Sequence, residues 1–287
     1  TLGFEGQDYT WGIERLRFAD DGSALFDPDG LLAVGPDAQG RQRVLAAGAW
    51  SDLAPRFGSG PVEHLPGRII APGFVDMHIH FPQTDVIGSP ADGLLPWLEN
   101  YTFPHEKRFA VPEYSAQVAQ FFIAELLRNG VTTALAFATS HPASAQALFV
   151  EAQHHQMRLI TGKVLQDRHS PDGVRDDTEQ SLIDTEALIQ RWHGVDRLGY
   201  AITPRFAPTS TPEQLAMAGA PPSAGVRILL AHQPRSAQAA LDAGFDLQLS
   251  GHTHGGQFWP WMHFVKFQQP FTAGLHKLES LWVYTSR

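Results

Sequence analysis

The sequence predicts an α/β fold in which a β-rich N-terminal segment precedes parallel strand–helix units of a (β/α) barrel. Three observations carry this prediction. Residues 1–70 are short apolar runs punctuated by turn residues. From residue 68, apolar runs rich in β-branched residues alternate with amphipathic stretches of helical length. At residues 219–225 the composition turns to Gly, Ala, Pro and Ser, and beyond it the chain becomes shorter-stranded and aromatic.

The elements follow in order. Asp20-Asp21-Gly22, Asp27-Pro28-Asp29-Gly30, Gly35-Pro36-Asp37 and Phe57-Gly58-Ser59-Gly60 are turn signals, so residues 1–70 read as short strands joined by tight turns. Phe74–His80 is an apolar run with a polar end. Ser115–Asn129 has helical periodicity and stops at Gly130. Val131–Ala138 is a continuous apolar run that fits a fully buried strand. Ala143–His155 is a helix, Met157–Leu165 a strand, Thr178–Trp192 a helix, Leu198–Thr203 a strand, and Pro212 starts another helix. After the break, Val226–His232 and Phe245–Ser250 read as strands around a short helix at Ser236–Ala243, and Leu281–Thr285 as a last strand. The expected segments are 1–70, 71–220 and 221–287. Repeated strand–helix alternation implies parallel βαβ units. About four barrel strands precede the break, and a complete (β/α)8 barrel takes about 250 residues, so a partial barrel is expected.

Composition bounds the function. The chain has 287 residues, 43% hydrophobic and 18% charged, with a net charge of −9. That charge argues against nucleic acid or an anionic membrane as partner. No apolar run reaches the ~20 residues needed to span a bilayer, and the cytoplasm is the default compartment. With no cysteine, any metal must sit on imidazole and carboxylate, which suits zinc, manganese or iron.

Pro72-Gly73-Phe74-Val75-Asp76-Met77-His78-Ile79-His80 is the first chemical motif. His78 and His80 are two apart on a strand, so both imidazoles share one face at the strand end and form half of a zinc site. A bare His-x-His is more often an exposed strand that binds nothing. The full nonapeptide resembles the first barrel strand of the amidohydrolase superfamily. His80-Phe81-Pro82-Gln83-Thr84, Leu95–Pro104 and Thr203-Pro204-Arg205-Phe206-Ala207-Pro208 resemble guanine deaminases, and the resemblance covers residues 1 to about 220. It implies zinc at His78 and His80, and a small-molecule purine held by Gln83, Arg205 and Phe206. The chemistry agrees: Arg205 can donate to a purine O6 or N7, Gln83 can donate and accept, and Phe206 can stack on the ring. Without that context Arg205 reads as a solvated charge and Gln83 as a loop-capping amide. The family's glutamate proton shuttle and later metal ligands find no match; His232-Gln233-Pro234-Arg235 carries arginine where the glutamate belongs.

Leu229-Leu230-Ala231-His232-Gln233-Pro234 and Gly251-His252-Thr253-His254-Gly255-Gly256-Gln257 form a second motif. It resembles the C-terminal part of calcineurin-like metallophosphoesterases over about residues 221–287. The resemblance implies a metal pair, manganese or iron, with His232 and His252 on one ion and His254 on the other. That family's bridging aspartate has no counterpart here. The remaining histidines, among them His105, His141 and His193, read as loop, helix-end or solvent-facing residues.

The expectation is thus a chimera joined near Ala220–Pro221, with a deaminase-like part and a phosphoesterase-like fragment. Because the shuttle and the bridging aspartate are missing, both activities are expected to be absent or far below those of intact relatives; the alternatives are a metal-dependent phosphoesterase and a non-catalytic chimeric chain. An interrupted barrel exposes a strand edge, so self-association is expected too. A further reading places Val226–His232 as a fifth barrel strand, offering His232 to the zinc at His78 and His80.

Overall fold

The structure is a computed structural model and describes residues 9–18, 23–57, 59–205, 209–218, 228–231, 234–251 and 270–286. It divides into two compact units, Thr1–Gly73 and Phe74–Arg287.

The first unit holds β1 (Tyr9–Phe18), β2 (Ala24–Pro36), β3 (Gln42–Ala49), α1 (Trp50–Phe57) and β4 (Val62–Ile70). The sheet order is β3-β2-β1-β4, with β1 and β4 parallel and the other pairs antiparallel. The strands are longer than the turn signals predicted. Asp27–Gly30 is no turn: Ile13 lies opposite Gly30 and Arg15 opposite Asp27, so β2 carries an extra residue there as a bulge. A bulge tolerates Pro28, which has no N–H to give the ladder. The turn after Gly35-Pro36-Asp37 does form. The Asp37 carboxylate accepts the N–H groups of Gln39 and Arg41, each at 2.9 Å, and Gly40 takes a φ of 76°. Burial pushes Asp37 up, but these bonds and the Arg41 guanidinium outweigh it and hold the carboxyl at about 2.

The second unit runs β5 (Phe74–His80), a 3-10 turn (Phe81–Val86), α2 (Leu94–Trp97), a π turn (Leu98–Thr102), α3 (Phe103–Arg108), α4 (Pro112–Arg128), β6 (Val131–Phe137), α5 (Pro142–His154), β7 (Arg158–Gly162) and β8 (Val164–Leu165). It continues with α6 (Thr178–Trp192), β9 (Leu198–Tyr200), β10 (Thr203–Pro204), α7 (Pro212–Ala218), β11 (Ile228–Leu230), α8 (Ala237–Asp242), β12 (Leu247–Ser250), β13 (Gly274–Leu278) and β14 (Leu281–Thr285). Proline opens α4 and α5 at a position where its missing N–H costs nothing. Asp177 caps α6 by accepting the Gln180 N–H.

β5-β6-β7-β9 form a parallel sheet, and β11-β12-β14-β13 a second sheet that is parallel except at β13–β14. The two are stitched by a parallel bridge between Ile202 and Leu229, where the Leu230 N–H donates to the Ile202 carbonyl at 2.9 Å. Strand direction is therefore kept on both sides of the Gly219–Gly225 composition break.

Period-two alternation divides the core. Leu135, Phe137, Val164, Ala201, Leu230 and Leu249 pack together with Met77 and Tyr284. Ala134, Ala136 and Leu159 belong to the other cluster, with Phe122 of α4, Leu148 and Phe149 of α5, and Trp192 of α6. Alanines on β6 let α4 and α5 approach closely. Among the described residues, no helix is long and apolar enough to cross a membrane.

Candidate metal centre and buried arginine

β5 sets His78 and His80 on one face, with their Nε2 atoms 3.3 Å apart. The Asp76 carboxylate accepts the His78 N–H at 3.0 Å and fixes the backbone between them. Phe137, at the end of β6, stacks on His80 at 4.7 Å and meets His78 edge-on at 5.2 Å, so both rings are packed in place. Gly251, directly after β12, lies against His78 of the same pair. A Cβ there would stand 2.6 Å from the His78 Cγ, so only glycine lets the backbone lie against the ring.

The geometry fits one metal ion on both imidazoles. Zinc–nitrogen bonds of about 2.0–2.1 Å at tetrahedral angles separate two ligand nitrogens by about 3.3 Å, the spacing His78 and His80 present. Among the described residues, no group of three or more histidine, aspartate and glutamate side chains could hold a metal. His232, His252 and His254 lie outside the described residues. Ala231, one before His232, donates its N–H to the Leu249 carbonyl, and Gly251, one before His252, lies against His78.

Arg205 follows β10 and is held by groups from distant parts of the chain. Its Nη1 donates to Glu106 Oε2 at 2.6 Å and to Gln166 Oε1 at 3.4 Å, and its Cζ lies 5.1 Å from the Phe103 ring centroid. The side chains of the ion pair are 7% and 2% exposed, so Arg205 is not a solvated charge. The π turn prepares this contact. Within it the Phe103 N–H donates to the Leu98 carbonyl, five residues back, and α3 then carries Phe103 and Glu106 three apart on one face. Phe103, Glu106 and Gln166 were not singled out by motif. Phe103 lies within the stretch that carried the deaminase resemblance, and Glu106 stands two residues beyond its end.

Gln166 links this arginine to a second buried ion pair. Its N–H donates to Asp176 Oδ2 and its side-chain amide to the Val174 carbonyl, while Lys163 Nζ meets Asp176 Oδ1 at 2.7 Å. Burial pushes Lys163 below the usual lysine range and Asp176 above the usual carboxylate range, against their mutual attraction. Nearby His141 is also lowered by burial.

Gln83 is half-buried in the 3-10 turn after β5, and its side-chain amide makes no hydrogen bond among the described residues. The turn is pinned two residues later, where Tyr114 donates its hydroxyl to Asp85. Burial and that bond push Tyr114 up to about 12. Phe206 lies outside the described residues. His105 and His193 bond to backbone groups, as bland histidines do.

A parallel α/β sheet with a paired His-x-His at the end of its first strand defines an amidohydrolase. The Amidohydrolase family matches residues 69–255, and the chain belongs to it. Its relatives include the guanine deaminase of Escherichia coli, 55% identical over 203 residues, which are 71% of this chain and 44% of that protein. A probable guanine deaminase of Deinococcus radiodurans is 34% identical over 179 residues, 62% of this chain and 41% of that protein. The solved E. coli guanine deaminase superposes with a TM-score of 0.75 at 36% identity, over 85% of this chain and 61% of that one. The chain thus spans less than half the length of these curated relatives. The family match passes through the composition break and ends at residue 255. The calcineurin-like reading of residues 221–287 finds no support in these comparisons.

Proposed function

We propose that the chain carries the metal-anchoring and purine-reading residues of a zinc-dependent guanine deaminase, the enzyme class that converts guanine and water to xanthine and ammonia. The observation that carries this reading is the 3.3 Å spacing of the His78 and His80 Nε2 atoms in the same unit as a buried, oriented arginine. His78 and His80 would hold the ion. Zinc, when bound, activates water for attack on the carbon that bears the amine. Arg205 and Gln83 orient the purine through its carbonyl and ring nitrogens, and Phe206 supplies an aromatic face. Phe137 keeps water from one side of the imidazole pair. His232 and His252 are the candidates for completing the metal shell, since each follows a residue placed at a strand end or against His78. The relatives named guanine deaminase support the substrate class.

Titrating the metal-free protein with zinc tests the centre. One equivalent should bind, and His78→Ala or His80→Ala should each weaken it by at least tenfold, because one imidazole cannot hold the ion in place of two. A site unmoved by both substitutions sinks the assignment. Ammonia release from guanine, with zinc added, reads the chemistry; loss of that release in His232→Ala or His252→Ala identifies further ligands. Hydrolysis of a chromogenic phosphodiester with manganese or iron, unaffected by His78→Ala, would instead favour the phosphoesterase reading of His232, His252 and His254.

A further inference from the structure

We propose that Glu106 is a specificity residue: by neutralising Arg205 inside the fold, it makes the site accept an uncharged purine in preference to an anionic one. This rests on the purine site proposed above.

First, Glu106 is itself buried, at 1% exposure, and its carboxylate sits 2.6 Å from Arg205 Nη1. An arginine enclosed without a counterion attracts any anion small enough to enter, because an unpaired charge out of water is costly. With Glu106 present the pair is neutral, so the electrostatic bait is gone and the hydrogen-bonding geometry remains. Second, Glu106 and Gln166 both take the Nη1 end of the guanidinium. A guanidinium has five N–H donors, and Nε and Nη2 make no hydrogen bond among the described residues. The arginine is anchored at one end and keeps donors for a carbonyl and a ring nitrogen. Third, Phe103 lies under the guanidinium and, three residues before Glu106, comes from the same helical turn. The π turn before α3 brings ring and carboxylate to the arginine together, so α3 serves as its holder.

The chemistry gives this arrangement a use. Xanthine is a stronger N–H acid than guanine and carries more anion at neutral pH. A bare arginine would hold such a product; a neutralised one releases it. Glu106 thus acts on ligand choice through Arg205 and is a positioning residue.

Equilibrium binding of hypoxanthine, neutral at pH 7, and of urate, an anion at pH 7, tests this in the full chain and in Glu106→Gln. Both ligands offer a carbonyl at the six position. The substitution should shift the ratio of the two dissociation constants toward urate by about tenfold or more, since it uncovers one buried positive charge. A purely structural role would weaken both ligands by the same factor, and an unchanged ratio overturns the proposal. Should Glu106→Gln fail to fold, the double variant Glu106→Gln/Arg205→Gln removes the charge imbalance. Recovery of folding supports neutralisation, and continued failure overturns it. An unsubstituted chain that binds neither ligand overturns the purine site and Glu106's role together, whereas normal hypoxanthine binding with an unmoved ratio overturns Glu106's role alone.

Discussion

The imidazole pair and the arginine nest belong to the same compact unit but are built in opposite ways. His78 and His80 are two residues apart, and the pleat of one strand brings them together. Arg205 meets Glu106 from 99 residues away and Gln166 from 39 residues away. The first arrangement needs only β5 and a neighbour to pack against. The second exists only when α3, the segment after β8 and the segment after β10 have all reached their places. The metal pair is therefore vulnerable to local sterics, and the arginine to any change that unbalances buried charge.

The largest expected effect breaks the nest. Glu106→Ala leaves a buried guanidinium without its counterion and should cost about 3–5 kcal/mol of stability, read as a lowered urea midpoint. His78→Ala strands no buried guanidinium and should cost less. Equal losses would show that the nest is no more dependent on burial than the strand.

Lys163→Met should fall in the same range at pH 7, because it strands Asp176 as a buried carboxylate. Here pH sharpens the comparison. Burial already holds the Asp176 carboxyl above the usual range. A group with a raised folded pKa favours the folded state below its unfolded value, and that advantage is lost as pH rises through the folded pKa. The defect of Lys163→Met should therefore shrink as the urea titration is moved to lower pH, where protonation of Asp176 removes the stranded charge. A loss independent of pH would contradict the buried-carboxylate account.

Gly251→Ala tests the metal pair with a smaller blow. Its Cβ would stand 2.6 Å from the His78 Cγ, so the ring must turn. Misorienting a ligand in this way should lower zinc affinity by roughly 10–100-fold with little change in fold. Unchanged affinity would mean that the ring is free to adapt.

The smallest effect belongs to the first unit. Asp37 sits in a turn, held down to about 2 by Arg41 and Gln39 despite burial. Its contribution is present above the ordinary carboxylate value and is lost as pH falls toward 2. Asp37→Asn should lower the melting temperature at pH 5 and leave it unchanged near pH 2. A constant difference across that window would show that the carboxylate is not what supports the turn.

Much of the second unit was legible from periodicity. The Ser115–Asn129 helix corresponds to Pro112–Arg128, and the Val131–Ala138 strand to Val131–Phe137. These elements bury continuous apolar stripes, and local spacing reports such stripes directly. Asp27–Gly30 reads as a turn in the sequence and is a bulge in the fold, because a strand bulge and a tight turn use the same residues and only the partner strand distinguishes them. Of the candidate site, His78 and His80 could be read from the chain because their pairing is a property of one strand. Arg205 stands out in its own motif, whereas Glu106 and Gln166 approach it from segments that the motif does not include.

The strand–helix alternation, the family signature at Pro72–His80 and the shared face of the two imidazoles are legible in the chain alone, since each depends on residues within one element. Tertiary structure alone decided that β11 continues the parallel run across the composition break, that Gly251 lies against His78, and that Glu106 rather than water answers the charge of Arg205. Those outcomes turn on contacts between residues far apart in the chain, whose free energy comes from burial and charge pairing and leaves no periodic mark on the sequence.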